Sequence, residues 1–142
     1  MRIQDVMSKR VVSIAPKATI SVARERLRTD EIDHLVVVDG KEIVGIVAGK
    51  DLARASDQQP VENAMTRDVV TIEPEATLRH AAGVMRGRAI GCLPVVEHER
   101  LVGILTTSDL LTALAKGDTH TSPPNERVIL RKRGPRKRAV PI

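Results

Sequence analysis

The sequence predicts an α+β fold: two tandem βαββα units packed as a pseudo-twofold pair, followed by a flexible basic C-terminal tail. Three observations predict it. Shifted by 58 residues, the chain falls onto itself without a gap, with 18 identities in the 48 positions from Asp5 to Leu52. Inside each copy, short β-branched runs flank a stretch with helical spacing. After Lys116 the repeat stops and the composition changes. A fixed internal period decides architecture before any single residue does.

Each unit reads strand, helix, strand, strand, helix. Val11–Ile14 is a β-branched run closed by Pro16, and Val69–Ile72 closed by Pro74 repeats it. Thr19 then precedes Ile20, Ala23 and Leu27, spaced to share one helical face, and its hydroxyl suits an N-cap. Thr77 does the same for Leu78, Ala81, Ala82 and Met85. His34–Val38 and Ile43–Val47 are apolar strands joined by Asp39-Gly40-Lys41-Glu42, a hairpin signal. Cys92–Val96 and Leu101–Leu105 match them around Glu97–Arg100. Short helices are expected at Lys50–Ala55 and Ser108–Ala115, with lead-in turns at Ile3–Met7 and Val61–Met65. One unit leaves an apolar sheet face bare, and two units can cover each other. The expected domains are 1–58, 59–116 and a tail at 117–142.

Composition narrows the function classes. The chain has 142 residues and no Phe, Tyr or Trp, so its core is aliphatic and it lacks stacking platforms for single-stranded nucleic acid. Residues 1–116 carry 16 basic and 16 acidic side chains, whereas 117–142 carry 7 basic and 2 acidic, so the tail supplies the whole excess of +5. The longest apolar runs are too short to span a bilayer, and the first residues show no apolar signal core. With a single cysteine, no internal disulfide framework forms, and the expected location is cytoplasmic.

The tandem βαββα unit and two strings carry a family resemblance. Leu93-Pro94-Val95-Val96-Glu97 and Leu101-Val102-Gly103-Ile104-Leu105-Thr106-Thr107-Ser108-Asp109 resemble the "PVVD" strand and the "G-I-V-T-x-x-D" turn of the cystathionine beta-synthase (CBS) domain pair. The resemblance covers residues 1–116. It implies a regulatory, non-enzymatic module that binds AMP, ADP, ATP or S-adenosylmethionine between its repeats. It also implies a homodimer that signals to a protein effector by conformational change.

The turn motif has its own physical reading. Gly103 permits close backbone approach. Thr106 sits where a strand meets a helix, so its hydroxyl and free amides suit a phosphate or ribose oxygen. Asp109, in the first helical turn, suits both hydroxyls of a ribose. The plain alternative makes Thr106 an N-cap and Asp109 a favourable first-turn acid. In the first copy Asp51 is kept but Ala48 replaces the hydroxyl, so the Asp109 pocket ranks first unless Lys50 compensates by reaching a phosphate.

By resemblance each pocket also draws on the other repeat. The Asp109 pocket would use Ser8, Val12, Ile32, Asp33 and His34. The Asp51 pocket would use Thr66, Val70, Ile90, Gly91 and Cys92. His34, at a position where some relatives place a phosphate-facing Arg, makes a weaker and pH-dependent clamp. With Asp33 beside it, a monophosphate or a less anionic adenosyl ligand is favoured over ATP. An ordinary surface histidine fits the sequence equally well.

Other chemistry finds little support in the sequence. Cys92 reads as a small buried hydrophobe, and His34, His80, His98 and His120 have no metal-ligand spacing. No glycine-rich phosphate loop or nucleophilic triad stands out, so neither a resident cofactor nor an enzyme is expected. The basic cluster at 127–138 can neutralise nucleic-acid phosphates or meet an acidic partner. A scaffold that binds through this tail, with vacant pockets, is the alternative function; a solvated tail without partners is the simplest reading of that segment.

Overall fold

A computed structural model describes residues 1–117. Met1–Thr112 form one compact unit; of the second, Ala113–Ile142, the described part is the end of the last helix. Apart from Gly117, the predicted tail and its nucleic-acid or acidic-partner reading lie outside the described residues.

The first repeat builds the expected order of elements, and the second builds it without a first strand. After a 3-10 turn at Ile3–Asp5 come β1 (Ser13–Ile14), α1 (Ile20–Thr29), β2 (His34–Asp39), β3 (Glu42–Ala48) and α2 (Gly49–Leu52). A second 3-10 turn at Val61–Asn63 leads to α3 (Leu78–Arg88), β4 (Cys92–Glu97), β5 (Arg100–Thr106) and α4 (Thr107–Gly117). The two threonines cap as predicted: Thr19 Oγ1 accepts from the Val22 amide at 3.3 Å and Thr77 Oγ1 from the His80 amide at 3.1 Å. The antiparallel hairpins β2–β3 and β4–β5 carry the same bulge, at Val37/Val38 and Val95/Val96. Asp39 pairs with Glu42, leaving Gly40-Lys41 as a two-residue loop with Gly40 at φ +65°.

One expected strand is nearly absent. β1 pairs in parallel with β2, but Val69–Ile72 contributes only a bridge between Ile72 and Val95. The reason is Pro94. In the first repeat the Val36 amide donates to the Val12 carbonyl at 3.2 Å. The corresponding residue of the second repeat is Pro94, which has no N–H to donate, so the ladder cannot extend.

The short helices also differ from expectation. α2 ends at Leu52, three residues early, and Arg24 Nη2 takes the carbonyls of Leu52 and Ala55. α4 runs longer than predicted, to Gly117.

The lead-in segments are exchanged. The amides of Ile3 and Gln4 donate to Ala76 and Pro74 of the second repeat, at 2.9 and 3.0 Å. The amides of Val61 and Glu62 donate to Ala18 and Pro16 of the first, at 2.7 and 3.0 Å. Ile3 is fully buried in a cluster with Ile72, Ala81, Leu93 and Leu105, whereas Val61 is buried with Ile14, Ile20, Leu35 and Val47. A third cluster, Val36, Cys92 and Ile104, joins strands of both repeats. Each repeat therefore completes the other's core, and the apolar sheet faces leave water together.

Candidate functional site: two unequal clefts

Each repeat's strand-to-helix turn faces a cleft walled by the other repeat. One cleft, of about 250 Å³, is lined by Ser8, Arg10, Val12, Glu31, Ile32, Asp33, His34, Ile104, Thr106 and Asp109. The second, of about 280 Å³, is lined by Ile46, Ala48, Lys50, Asp51, Thr66, Asp68, Val69, Val70, Ala89, Ile90, Gly91 and Cys92, together with His34. Every residue assigned to the Asp109 pocket and every residue assigned to the Asp51 pocket thus lies in its own cleft.

The turns themselves are tied by local hydrogen bonds. Asp109 Oδ2 accepts from the Thr106 amide at 2.8 Å and from Thr106 Oγ1 at 3.1 Å, while the Asp109 amide donates back to Thr106 Oγ1 at 3.3 Å. This reciprocal arrangement is a capping box, and it occupies the hydroxyl and one carboxylate oxygen. Asp51 Oδ2 accepts the Ala48 amide at 2.8 Å, and the alanine side chain adds nothing. In both turns Oδ1 has no hydrogen-bond partner within the described chain, leaving one carboxylate oxygen for a ligand hydroxyl.

Glu31 and Ala89 follow the ends of α1 and α3 in the left-handed region, at φ 54° and 55°. They turn the chain so that the next residues, Ile32 and Ile90, donate their amides back to Leu27 and Met85. Those two isoleucines then wall the two clefts. Gly91 is held by Thr107, whose amide donates to the Gly91 carbonyl at 3.0 Å.

Two lining groups titrate away from their ordinary values. Burial pulls the His34 imidazole below 6.5, against the opposing charges of Asp33 and Asp51 and with the help of Lys50. Its Nδ1 is buried without a partner among the described residues. Burial, assisted by the charge of Asp109, pushes the Cys92 thiol up to about 12, so it is an unreactive wall group. Among the described residues no cluster of His, Cys, Asp or Glu is arranged to hold a metal ion. No helix among them is long and apolar enough to cross a membrane.

Arg10, Glu31 and Ile104 in one cleft, and Ile46, Ala48, Asp68, Val69 and Ala89 in the other, had not been assigned from sequence. The period itself carried most of the signal. At the same offset Arg10 falls on Asp68, Glu31 on Ala89 and Ile46 on Ile104, so these three pairs correspond, while Ala48 and Val69 have no counterpart in the other set. His34 is the exception. It had been placed in one cleft and lines both.

A family model for the CBS domain matches residues 3–58 and again 61–116. The chain belongs to the CBS domain family. A CBS domain pair solved in complex with 5′-methylthioadenosine and S-adenosyl-L-methionine is 31% identical, with a TM-score of 0.76 over 84% of this chain and 98% of that one. A homoserine O-acetyltransferase of Methanocorpusculum labreanum is 39% identical over 114 residues, which are 78% of this chain but 23% of that enzyme. An uncharacterised 17.7 kDa protein of Acidianus ambivalens is 28% identical over 126 residues, covering 84% of this chain and 76% of the other. The chain spans about a quarter of the length of the enzymes it matches.

Proposed function

We propose that this CBS pair is a regulatory module that binds an adenosine-containing ligand between its repeats and passes the result to a protein effector. The observation that carries the reading is the pairing of one free carboxylate oxygen with an apolar wall from the other repeat, in each of two clefts. At about 250 and 280 Å³ both are near the small end of ligand pockets and suit a nucleoside rather than a dinucleotide. In this reading Asp109 and Asp51 accept from ribose hydroxyls, while Val12 with Ile32, and Val70 with Ile90, enclose the base. The relative solved with two adenosyl compounds supports the same class of ligand.

Charge separates the candidate ligands at the Asp109 cleft. Glu31, Asp33 and Asp109 line it against Arg10, and the Arg10 guanidinium already pairs with Asp30 at 2.9 Å. A polyphosphate is repelled there. S-adenosylmethionine, with its sulfonium and ammonium charges, or neutral 5′-methylthioadenosine fits better, and AMP ranks above ATP.

Signalling requires that the ligand bind one arrangement of the repeats more tightly than another. A homodimer forms part of the reading, and the exposed apolar side chains of Val22 on α1 and Leu111 on α4 support it. Calorimetry with S-adenosylmethionine, 5′-methylthioadenosine, AMP, ADP and ATP tests the ligand. Asp109→Ala should remove most S-adenosylmethionine affinity. No heat from any of the five at millimolar concentration would overturn the reading.

A further inference from the structure

Among the described residues His34 is the one side chain that lines both clefts. It opens β2 at the seam between them. Ile32 and Asp33, just before it, wall the Asp109 cleft, and Ala48, its cross-strand partner on β3, walls the Asp51 cleft. Two residues along, Val36 packs with Ile104 of the first cleft and Cys92 of the second. The Val36 amide also donates to the carbonyl of Val12, another wall of the Asp109 cleft, at 3.2 Å. The strand that carries the imidazole is thus anchored to walls of both clefts.

Pairing of the repeats does not by itself produce this arrangement. At the 58-residue offset His34 falls on Cys92, which lines the Asp51 cleft alone. The shared wall therefore belongs to one side chain of the first repeat and not to the repeated turn motifs.

That side chain has little to share. A neutral imidazole carries one donor and one acceptor nitrogen. Nδ1 is buried without a partner among the described residues, which leaves Nε2 as the ring nitrogen that two clefts can use. Burial holds the ring toward its neutral form. Asp33 opposes this from the residue before it and Asp51 from α2, while Lys50 on α2 assists. Asp109, Glu31 and Arg10 share the first cleft with the ring, and Asp68 shares the second. A ligand that hydrogen-bonds Nε2 in one cleft fixes the ring there, and the other cleft keeps only the apolar edge.

We infer that His34 couples the two clefts negatively: a ligand that engages its imidazole in one cleft weakens binding in the other. The class of ligand rests on the adenosyl reading above, and the coupling goes beyond it. By linkage the effect is reciprocal, whichever cleft fills first. The pair then fills in two separated steps, and the half-filled state spans a wide range of ligand concentration.

Titration of the full chain with 5′-methylthioadenosine, which carries no net charge, tests the coupling by NMR. The Glu31 amide reports the Asp109 cleft and the Gly91 amide the Asp51 cleft, since each lines one cleft alone. Fitted together, the two curves should show the second ligand bound about threefold to tenfold more weakly than to a singly empty cleft, the range of one net hydrogen bond. His34→Leu, which keeps the bulk and removes the nitrogens, should bring that factor within about 1.5-fold of unity. Independent clefts, positive coupling, or negative coupling that survives His34→Leu overturns the inference. A ligand-free measurement stands beside it, with the His34 ring resonance assigned by its loss in His34→Leu. Asp33→Asn and Asp51→Asn, one change in each cleft, should each lower the pH at which the ring titrates, because each removes an opposing charge. A ring that ignores Asp51→Asn senses one cleft only, and the shared wall is rejected. If 5′-methylthioadenosine moves neither amide, the adenosyl reading fails separately, and this titration still decides whether His34 joins the clefts.

Discussion

Met7 lies over Gly103: a Cβ on that glycine would stand 2.6 Å from the methionine Sδ and 3.0 Å from the Ser8 carbonyl oxygen. Met65 covers Gly45 in the same way. The glycine of the turn motif had been read as clearance for close backbone approach, and what approaches is the exchanged lead-in segment of the other repeat. Ser8 and Ile104 exchange both backbone hydrogen bonds there at 2.9 Å, as Thr66 and Ile46 do at 2.8 and 3.0 Å.

Gly103→Ala should therefore destabilise the fold by about 1–3 kcal/mol through overpacking. The Ser8 carbonyl is backbone and cannot swing aside, so Met7→Ala in the same chain should recover only part of the loss. Urea denaturation of the two single variants and the double variant gives the coupling. Full additivity would show that Met7 does not press on Gly103.

Arg24 stitches α1 to the end of α2. Arg24→Met should cost about 1–2 kcal/mol, because the Leu52 and Ala55 carbonyls lose charged donors. Arg24→Lys should recover little, since a single ammonium does not reproduce the planar fork. Thermal unfolding of both variants checks this.

The motif aspartates differ in structural weight. Asp109 holds the Thr106 amide and hydroxyl, whereas Asp51 holds one amide. Asp109→Ala should lose about 1–2 kcal/mol and Asp51→Ala about 1 kcal/mol or less. Denaturation without ligand measures this, and it calibrates any loss of binding in the same variants.

His34 sets a pH dependence. Burial lowers its folded value below the ordinary 6.5, so between the two values the unfolded chain holds more protons. Stability is then fully present above about pH 6.5 and falls as pH drops through that value toward the lower folded one. His34→Gln should flatten this part of the stability–pH curve. An unchanged slope would place the titration elsewhere.

Ala89 occupies the left-handed position after α3, where glycine carries no Cβ penalty. Ala89→Gly should stabilise by about 0.5–1 kcal/mol, the relief of strain exceeding the entropy added to the unfolded chain. Chemical denaturation reads the sign.

Much was legible because it is local. The capping threonines, the Asp-Gly hairpin and the turns at Asp51 and Asp109 depend on neighbours within about four residues, and the repeat presents the caps and the aspartate turns twice. The partial loss of the second parallel strand was also present in the sequence, as Pro94, but its meaning needs the knowledge that Val36 donates to Val12 across the sheet. No helix-end signal marked Glu31 and Ala89, because neither position is glycine.

By itself the sequence determined two copies of one unit, their order of elements and the carboxylate at each turn. Periodicity and capping are properties of a segment and its near neighbours. Only the tertiary structure decided that Ile3 completes the second core and Val61 the first, and that His34 borders both clefts. Those relations join residues far apart in the chain, and the burial and charge that select them exist only once the repeats have packed.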